Sequence, residues 1–200
     1  EARIGVAAQG QAIAAAAYNY ARAYARERLQ GQSVRDMKNP DSPTVPILQH
    51  PDVRRMLMIQ KVHSETMRSL LIKMALSFDL AHEGTDAGEA ERLRGRVDLL
   101  TPILKATCTD VGFEMAVLAV QVFGGYGYIG EYPVEQLVRD AKICSIYEGT
   151  NGIQAMDLVG RKLRVGGGAL FIDWMNEANA QLEKAAASGF AGPAEALGKA

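Results

Sequence analysis

Phe123-Gly124-Gly125-Tyr126-Gly127-Tyr128-Ile129-Gly130 contains the pattern Gly-x-Gly-x-x-Gly, and the fold turns on how that pattern is read. As a dinucleotide fingerprint it requires a strand before it and a βαβ unit around it. The preceding residues instead set Val97, Leu100, Leu104, Val111, Met115, Leu118 and Val122 along one stripe at helical spacing. A helix that stops at Gly124-Gly125, as helices often stop at glycine, leaves no strand for the Rossmann reading. Two readings remain: a glycine-rich turn between helices, or a turn whose backbone amides meet a phosphate.

The rest of the chain reads as helix in the same way. From Glu1 to about Gln30 alanine is dense and proline absent, which favours a helix that neighbours can approach closely. Pro40, Pro43, Pro46 and Pro51 then mark a long, functional-looking loop from Gly31. A second helix is expected from about Asp52 to His82, on Met56, Ile59, Met67, Leu70, Met74, Phe78 and Ala81. At 1.5 Å per residue it is about 40 Å or more long, the length of a bundle helix. Gly84, Thr85, Asp86 and Gly88 mark the turn into the third helix. Pro133 suits the first turn of a fourth, and the Thr150 hydroxyl suits the cap of a fifth running through Ile153, Met156, Val159 and Leu163. After Gly166-Gly167-Gly168 another helix is expected from about Leu170 to Ala187, with a further element opening near Gly192-Pro193. Met56, Met58, Met67 and Met74 read as core filling or a soft lining. No segment alternates with period two. The expected fold is all-α: an up-and-down four-helix-bundle-like domain over residues 1–165, with the start of an extra helical region over 166–200.

Composition narrows the function. Two hundred residues with 48% hydrophobic content support one sizeable core, and a net charge of −1 leaves no footprint for nucleic acid or an anionic membrane. No apolar run approaches the roughly 20 residues of a membrane span. The first residue is Glu1, with no charged-then-apolar leader, so a soluble chain that starts part-way through a protein is expected. Cys108 and Cys144 form no CxxC pair and read as free thiols of a reducing cytoplasm. His50, His63 and His82 lack metal-ligand spacing, and the adjacent His63, Ser64 and Glu65 lack a nucleophile elbow, so neither a metal site nor a hydrolase triad is expected.

The chemistry concentrates in Tyr147-Glu148-Gly149-Thr150-Asn151. A carboxylate between an aromatic and a glycine suits base chemistry: the ring excludes water and raises basicity, and the glycine lets substrate approach. From Gln121 to Gln154 the chain carries, in order, Gln-x-x-Gly-Gly-x-Gly-Tyr, Glu-Tyr-Pro-Val-Glu, Arg-Asp-Ala-Lys, Ile-Tyr-Glu-Gly-Thr and Ile-Gln. This succession resembles the C-terminal signature of the acyl-CoA dehydrogenases, flavoenzymes that desaturate acyl thioesters. Over about Glu1 to Leu163 the chain resembles in particular the long, methylthiopropanoyl-CoA dehydrogenase-like members.

The resemblance implies an FAD-dependent enzyme in which Glu148 removes the α-proton of an acyl-CoA, with Tyr147 and Arg3 binding substrate and Tyr147 lining the pocket. It implies cofactor contacts at Arg28, Gln121, Gly124, Gly125 and Thr150, the first four reaching the FAD of a neighbouring subunit in a homodimer or tetramer. A guanidinium fork at Arg28 suits a pyrophosphate. Gly152 stands where many members carry a further cofactor-binding glutamine. Some members place the base on the first helix, just before an arginine that Arg3 matches; that place is held by Ala2, with Glu1 one residue off. Arg139 and Asp140, adjacent on a helix, read as structural groups that pair elsewhere. The implied acceptor is an electron-transfer flavoprotein. The alternatives are an acyl-CoA oxidase, which passes electrons to oxygen, and a non-catalytic helical oligomerisation module.

Overall fold

The structure, a computed structural model, describes residues 2–84 and 86–199. It divides into two compact units, Glu1–Ala75 with Thr101–Gln154, and Leu76–Leu100 with Ala155–Ala200.

In the first unit, helix α1 (Ala2–Glu27) buries Ala7, Ala14, Ala17, Ala21 and Ala25 completely. Small side chains let α1 lie almost backbone-to-backbone on α3 (Ala87–Phe123): a Cβ at Gly10 would stand 2.3 Å from the Cys108 carbonyl oxygen. Ala17, Ala21 and Ala25 pack with Ile47, Met56, Leu57, Ala119, Val122, Phe123 and Val134 in one apolar cluster. Helix α2 (Pro51–Glu83) opens on proline, as the first turn allows, and buries Met56, Met67 and Met74. Met58 departs from the sequence expectation. Two residues beyond Met56 it falls on the opposite face, and it is exposed.

The loop after α1 also differs. Strand β1 (Leu29–Gln32) pairs antiparallel with β2 (Thr44–Pro46), and a 3₁₀ turn at Ile47–Gln49 leads into α2. Strands of four and three residues are too short to display an alternating pattern, which is why the sequence shows none. Helix α3 runs through a buried proline, Pro102, and ends where Gly124 takes φ +62°. The glycine segment that matched the fingerprint is a 3₁₀ turn, Gly124–Tyr128, between α3 and α4 (Val134–Cys144).

In the second unit, the Asp86 carboxylate accepts the Glu89 amide at 2.7 Å and caps the start of α3. The Gly84–Gly88 turn was expected to include Thr85, which lies outside the described residues. Helix α5 (Asn151–Gly160) stops three residues short of Leu163, and Lys162–Gly168 forms a 3₁₀ segment broken at Val165, Gly166 and Gly167. Gly166, Gly167 and Gly168 all have positive φ and turn the chain into α6 (Ala169–Ala185). A π-helical turn at Ala186–Phe190 and α7 (Ala191–Gly198) complete the unit. The fold is all-α apart from the two short strands, and no helix among the described residues is long and apolar enough to cross a membrane.

Candidate active site

The residues that carry the chemistry fall in two clusters, both within the first unit. The first surrounds the turn between α4 and α5. The Tyr147 amide still bonds back to the Ile143 carbonyl at 3.1 Å, and the Asn151 amide reaches the Ser145 carbonyl at 3.2 Å. Between them Glu148 has φ +54° and Gly149 φ +84°. Glu148 is the one non-glycine at positive φ among the described residues, a conformation that costs an L-residue about 1–2 kcal/mol.

That backbone is held from two sides. Lys105 of α3, fully buried, donates to the Gly149 carbonyl and to Asn151 Oδ1, each at 2.9 Å. Buried Gln154 donates to the Glu148 and Gly149 carbonyls at 3.3 and 3.1 Å, and its own Oε1 accepts Arg3 Nη1 at 2.9 Å. The Tyr147 hydroxyl bonds Gln9 Oε1 of α1 and lies 3.9 Å from Cys144 Sγ, in surroundings that push the phenol above its ordinary value, burial foremost. Thr150 Oγ1 accepts the Ile153 amide at 3.3 Å, the cap expected for α5.

The Glu148 side chain is exposed. Its restraint is in the backbone, and the described residues do not supply the water-excluding cover expected of a buried base. Glu1, one residue from the alternative base position, lies outside the described residues; Ala2, at that position, cannot titrate. Gly152 is exposed on the first turn of α5.

The second cluster lines a groove of about 330 Å³ where α1 and α3 end. Arg28, Gln121 and Gly124 meet there with Tyr24, Gly31 and His50. The Arg28 guanidinium lies 5.1 Å above the Tyr126 ring, and Tyr24 stacks on Phe123 with centroids 4.1 Å apart. No atom lies within 4 Å of where a Cβ would stand on Gly124 or Gly125, so backbone here is open to a ligand. A cation on an aromatic face beside open glycine backbone fits a diphosphate-bearing group.

Arg3 opens α1 and Arg28 follows its end, so the clusters stand about 37 Å apart at 1.5 Å per residue. The structure thus joins Arg3, Tyr147, Glu148 and Thr150 in one place, and Arg28, Gln121 and Gly124 in another, with Gly125 adjoining. Asp140 accepts Gln136 Nε2 at 2.7 Å, whereas Arg139 faces a separate apolar groove of about 430 Å³ lined by Val117, Val120, Tyr128 and Val138.

Sequence reasoning missed Lys105, Gln154 and His50 as site residues. Thr101, Lys105 and Thr109 recur every fourth residue beside an apolar stripe, a polar line that must be buried and satisfied. For His50, whose ring bonds the Gln30 carbonyl at 2.6 Å, the sequence held no signal.

The sequence model of the acyl-CoA dehydrogenase C-terminal domain matches residues 1–163. This chain belongs to the acyl-CoA dehydrogenase family. It is 46% identical over 167 residues to 3-methylmercaptopropionyl-CoA dehydrogenase of Ruegeria pomeroyi, covering 84% of this chain and 28% of that protein. Butyryl-CoA dehydrogenase of Megasphaera elsdenii superimposes with TM-score 0.62 at 36% identity, over 81% of this chain and 36% of that one. Caenorhabditis elegans ACDH-11, solved in complex with C11-CoA, superimposes over 99% of this chain and 33% of its own with TM-score 0.74. At 20% identity that likeness concerns the fold alone. The chain therefore spans about a third or less of the relatives it matches, and both clusters lie within the family's matched residues.

Proposed function

We propose that this chain is the C-terminal helical part of an FAD-dependent acyl-CoA dehydrogenase in which Glu148 is the catalytic base. The observation that carries the reading is the left-handed backbone at Glu148, held by Lys105 and Gln154 inside the family's signature stretch. Strain kept at one carboxylate, in a turn braced from two helices, is what a fixed base requires.

Glu148 takes a proton from the carbon next to the thioester carbonyl, which acidifies it. FAD, when bound, supplies the acceptor for the hydride leaving the neighbouring carbon, and the acyl-CoA becomes a trans-2-enoyl-CoA. The acyl chain and the remainder of the protein complete the cover over Glu148, raising its basicity. Tyr147 lines the pocket, and Thr150, whose hydroxyl caps α5, would contact the flavin. Arg3 braces the turn through Gln154. Arg28, Gln121, Gly124 and Gly125 hold the diphosphate and adenosine portion of a cofactor bound chiefly by a neighbouring subunit. The span of about 37 Å between the clusters, longer than one bound dinucleotide bridges, supports two cofactor molecules and hence a homodimer or tetramer. Residues 1–165 form the bundle, and 166–200 begin an extra helical region. The enzyme is cytoplasmic and delivers electrons to an electron-transfer flavoprotein; the isolated chain does not turn over.

The test is Glu148→Gln in the full-length flavin-loaded protein. Acyl-CoA-dependent bleaching of the flavin falls by about 10²–10⁴-fold, the scale of a lost general base, while FAD stays bound. Bleaching at the wild-type rate overturns the assignment.

A further inference from the structure

Lys105 is fully buried on α3, yet neither of its two hydrogen bonds goes to a carboxylate; both go to the turn that carries Glu148. A buried ammonium is costly unless its donors are met, so its acceptors are constrained as tightly as the cation is. One acceptor is the Gly149 carbonyl, which follows Glu148 directly and also receives Gln154 Nε2. The other is Asn151 Oδ1, whose Nδ2 donates to Thr109 Oγ1 at 3.0 Å and to the Ala106 carbonyl at 3.4 Å. Lys105 and Thr109, one turn apart, thus grip both ends of the Asn151 amide. Burial also pulls the Lys105 ammonium below its ordinary lysine value, opposed by Asp110 and Cys144.

We propose that Lys105 is a positioning residue, whose buried ammonium fixes the left-handed Glu148–Gly149 backbone and thereby the direction in which the Glu148 carboxylate meets the substrate. The proposal rests on Glu148 being the base. It differs from a plain staple between α3 and the α4–α5 turn. A staple adds stability without regard to chemistry, whereas a positioning residue acts on the transition state. Displacing a reacting group by about 1 Å is enough to cost about 10²-fold in rate.

Lys105→Met keeps the length and apolar stem and removes the donors. In the full-length flavin-loaded enzyme, kcat for acyl-CoA falls by about 10²-fold with KM within about twofold of wild type and FAD content unchanged. Hydrogen exchange at the Asn151 amide, measured on the same protein, rises at least about tenfold as the turn loosens. Should Lys105→Met not fold, Asn151→Leu removes one acceptor and leaves the Gly149 carbonyl; it gives the same kcat-selective loss, about tenfold. A kcat within about twofold of wild type in the folded variant, or unchanged exchange at Asn151, overturns the proposal. Glu148→Gln separates the two failures. If it keeps turnover, the base assignment itself falls; if it abolishes turnover while Lys105→Met does not, only the role of Lys105 falls.

Discussion

The unit of Glu1–Ala75 and Thr101–Gln154 closes on alanine, glycine and methionine, whereas that of Leu76–Leu100 and Ala155–Ala200 buries Leu93, Leu99 and Leu100 and adds ion pairs between its long side chains. In the first, five alanines of α1 are fully buried and a glycine sets helix against helix. In the second, α6 has no buried residue; Arg96 pairs with Glu177, and the buried ammonium of Lys162 pairs with Asp98. Contact between backbones tolerates no added atom, while contact between long side chains can rearrange. The site lies in the unit with the less forgiving packing.

A matched pair of glycine substitutions gives the largest contrast. A Cβ on Gly10 would stand 2.3 Å from the Cys108 carbonyl oxygen, and one on Gly112 2.5 Å from the Gly10 oxygen, so α1 and α3 would have to separate. A Cβ on Gly95 would stand 2.5 Å from Leu170 Cδ2, the far end of a side chain that can turn away. Alanine raises helix propensity by about 1 kcal/mol at each place. Gly10→Ala should therefore lose about 3 kcal/mol or more and Gly95→Ala close to nothing, as read from thermal and urea unfolding. Equal losses would erase the contrast.

The next test concerns the buried cation. Asp98→Ala leaves the Lys162 ammonium, only 2% exposed, without its counter-charge. Lys162→Met removes the charge and keeps the apolar volume. Because Asp98 is itself half-exposed, the first should destabilise by about 1–2 kcal/mol and the second by less than about 1 kcal/mol. The reverse order in urea unfolding would mean that the pair is a net source of stability.

How far the sequence disclosed this arrangement depended on the range of the interactions. Periodicity and punctuation were enough for the long helices: α3 ends before Gly124, α5 is capped by Thr150, and the triple glycine separates α5 from α6. The fingerprint-like glycines were assigned to a helix-joining turn by what preceded them, and the 3₁₀ turn there agrees. Features made by distant partners were hidden. Strand β1 exists only because β2 pairs with it across an eleven-residue gap. Lys105 was passed over in the sequence, because its acceptor Asn151 lies 46 positions away. At Glu148 the sequence marked the residue type and the following glycine; that the glutamate is left-handed too follows from Lys105 and Gln154, which no local pattern shows.

A pH dependence is also expected at the α1–α3 contact. Cys108 is buried there, and burial pushes its thiol from 9.0 up to about 11. Below pH 9 the thiol is neutral in both folded and unfolded chains and contributes no slope. Between 9 and about 11 the unfolded chain releases this proton and the folded one keeps it, so stability declines as pH rises. Lys105 acts in the opposite sense: its lowered value means that the unfolded chain binds the extra proton, and stability gains as pH rises from that value to 10.5. The thiol contribution is therefore read as the difference between wild type and Cys108→Ala. The variant should pay a pH-independent cavity penalty below pH 9 and then converge toward the wild-type curve as pH approaches 11. Two parallel curves across that range would show that the thiol ionises as easily inside the packed unit as in the unfolded chain, and that the α1–α3 contact is wetter than its backbone spacing implies.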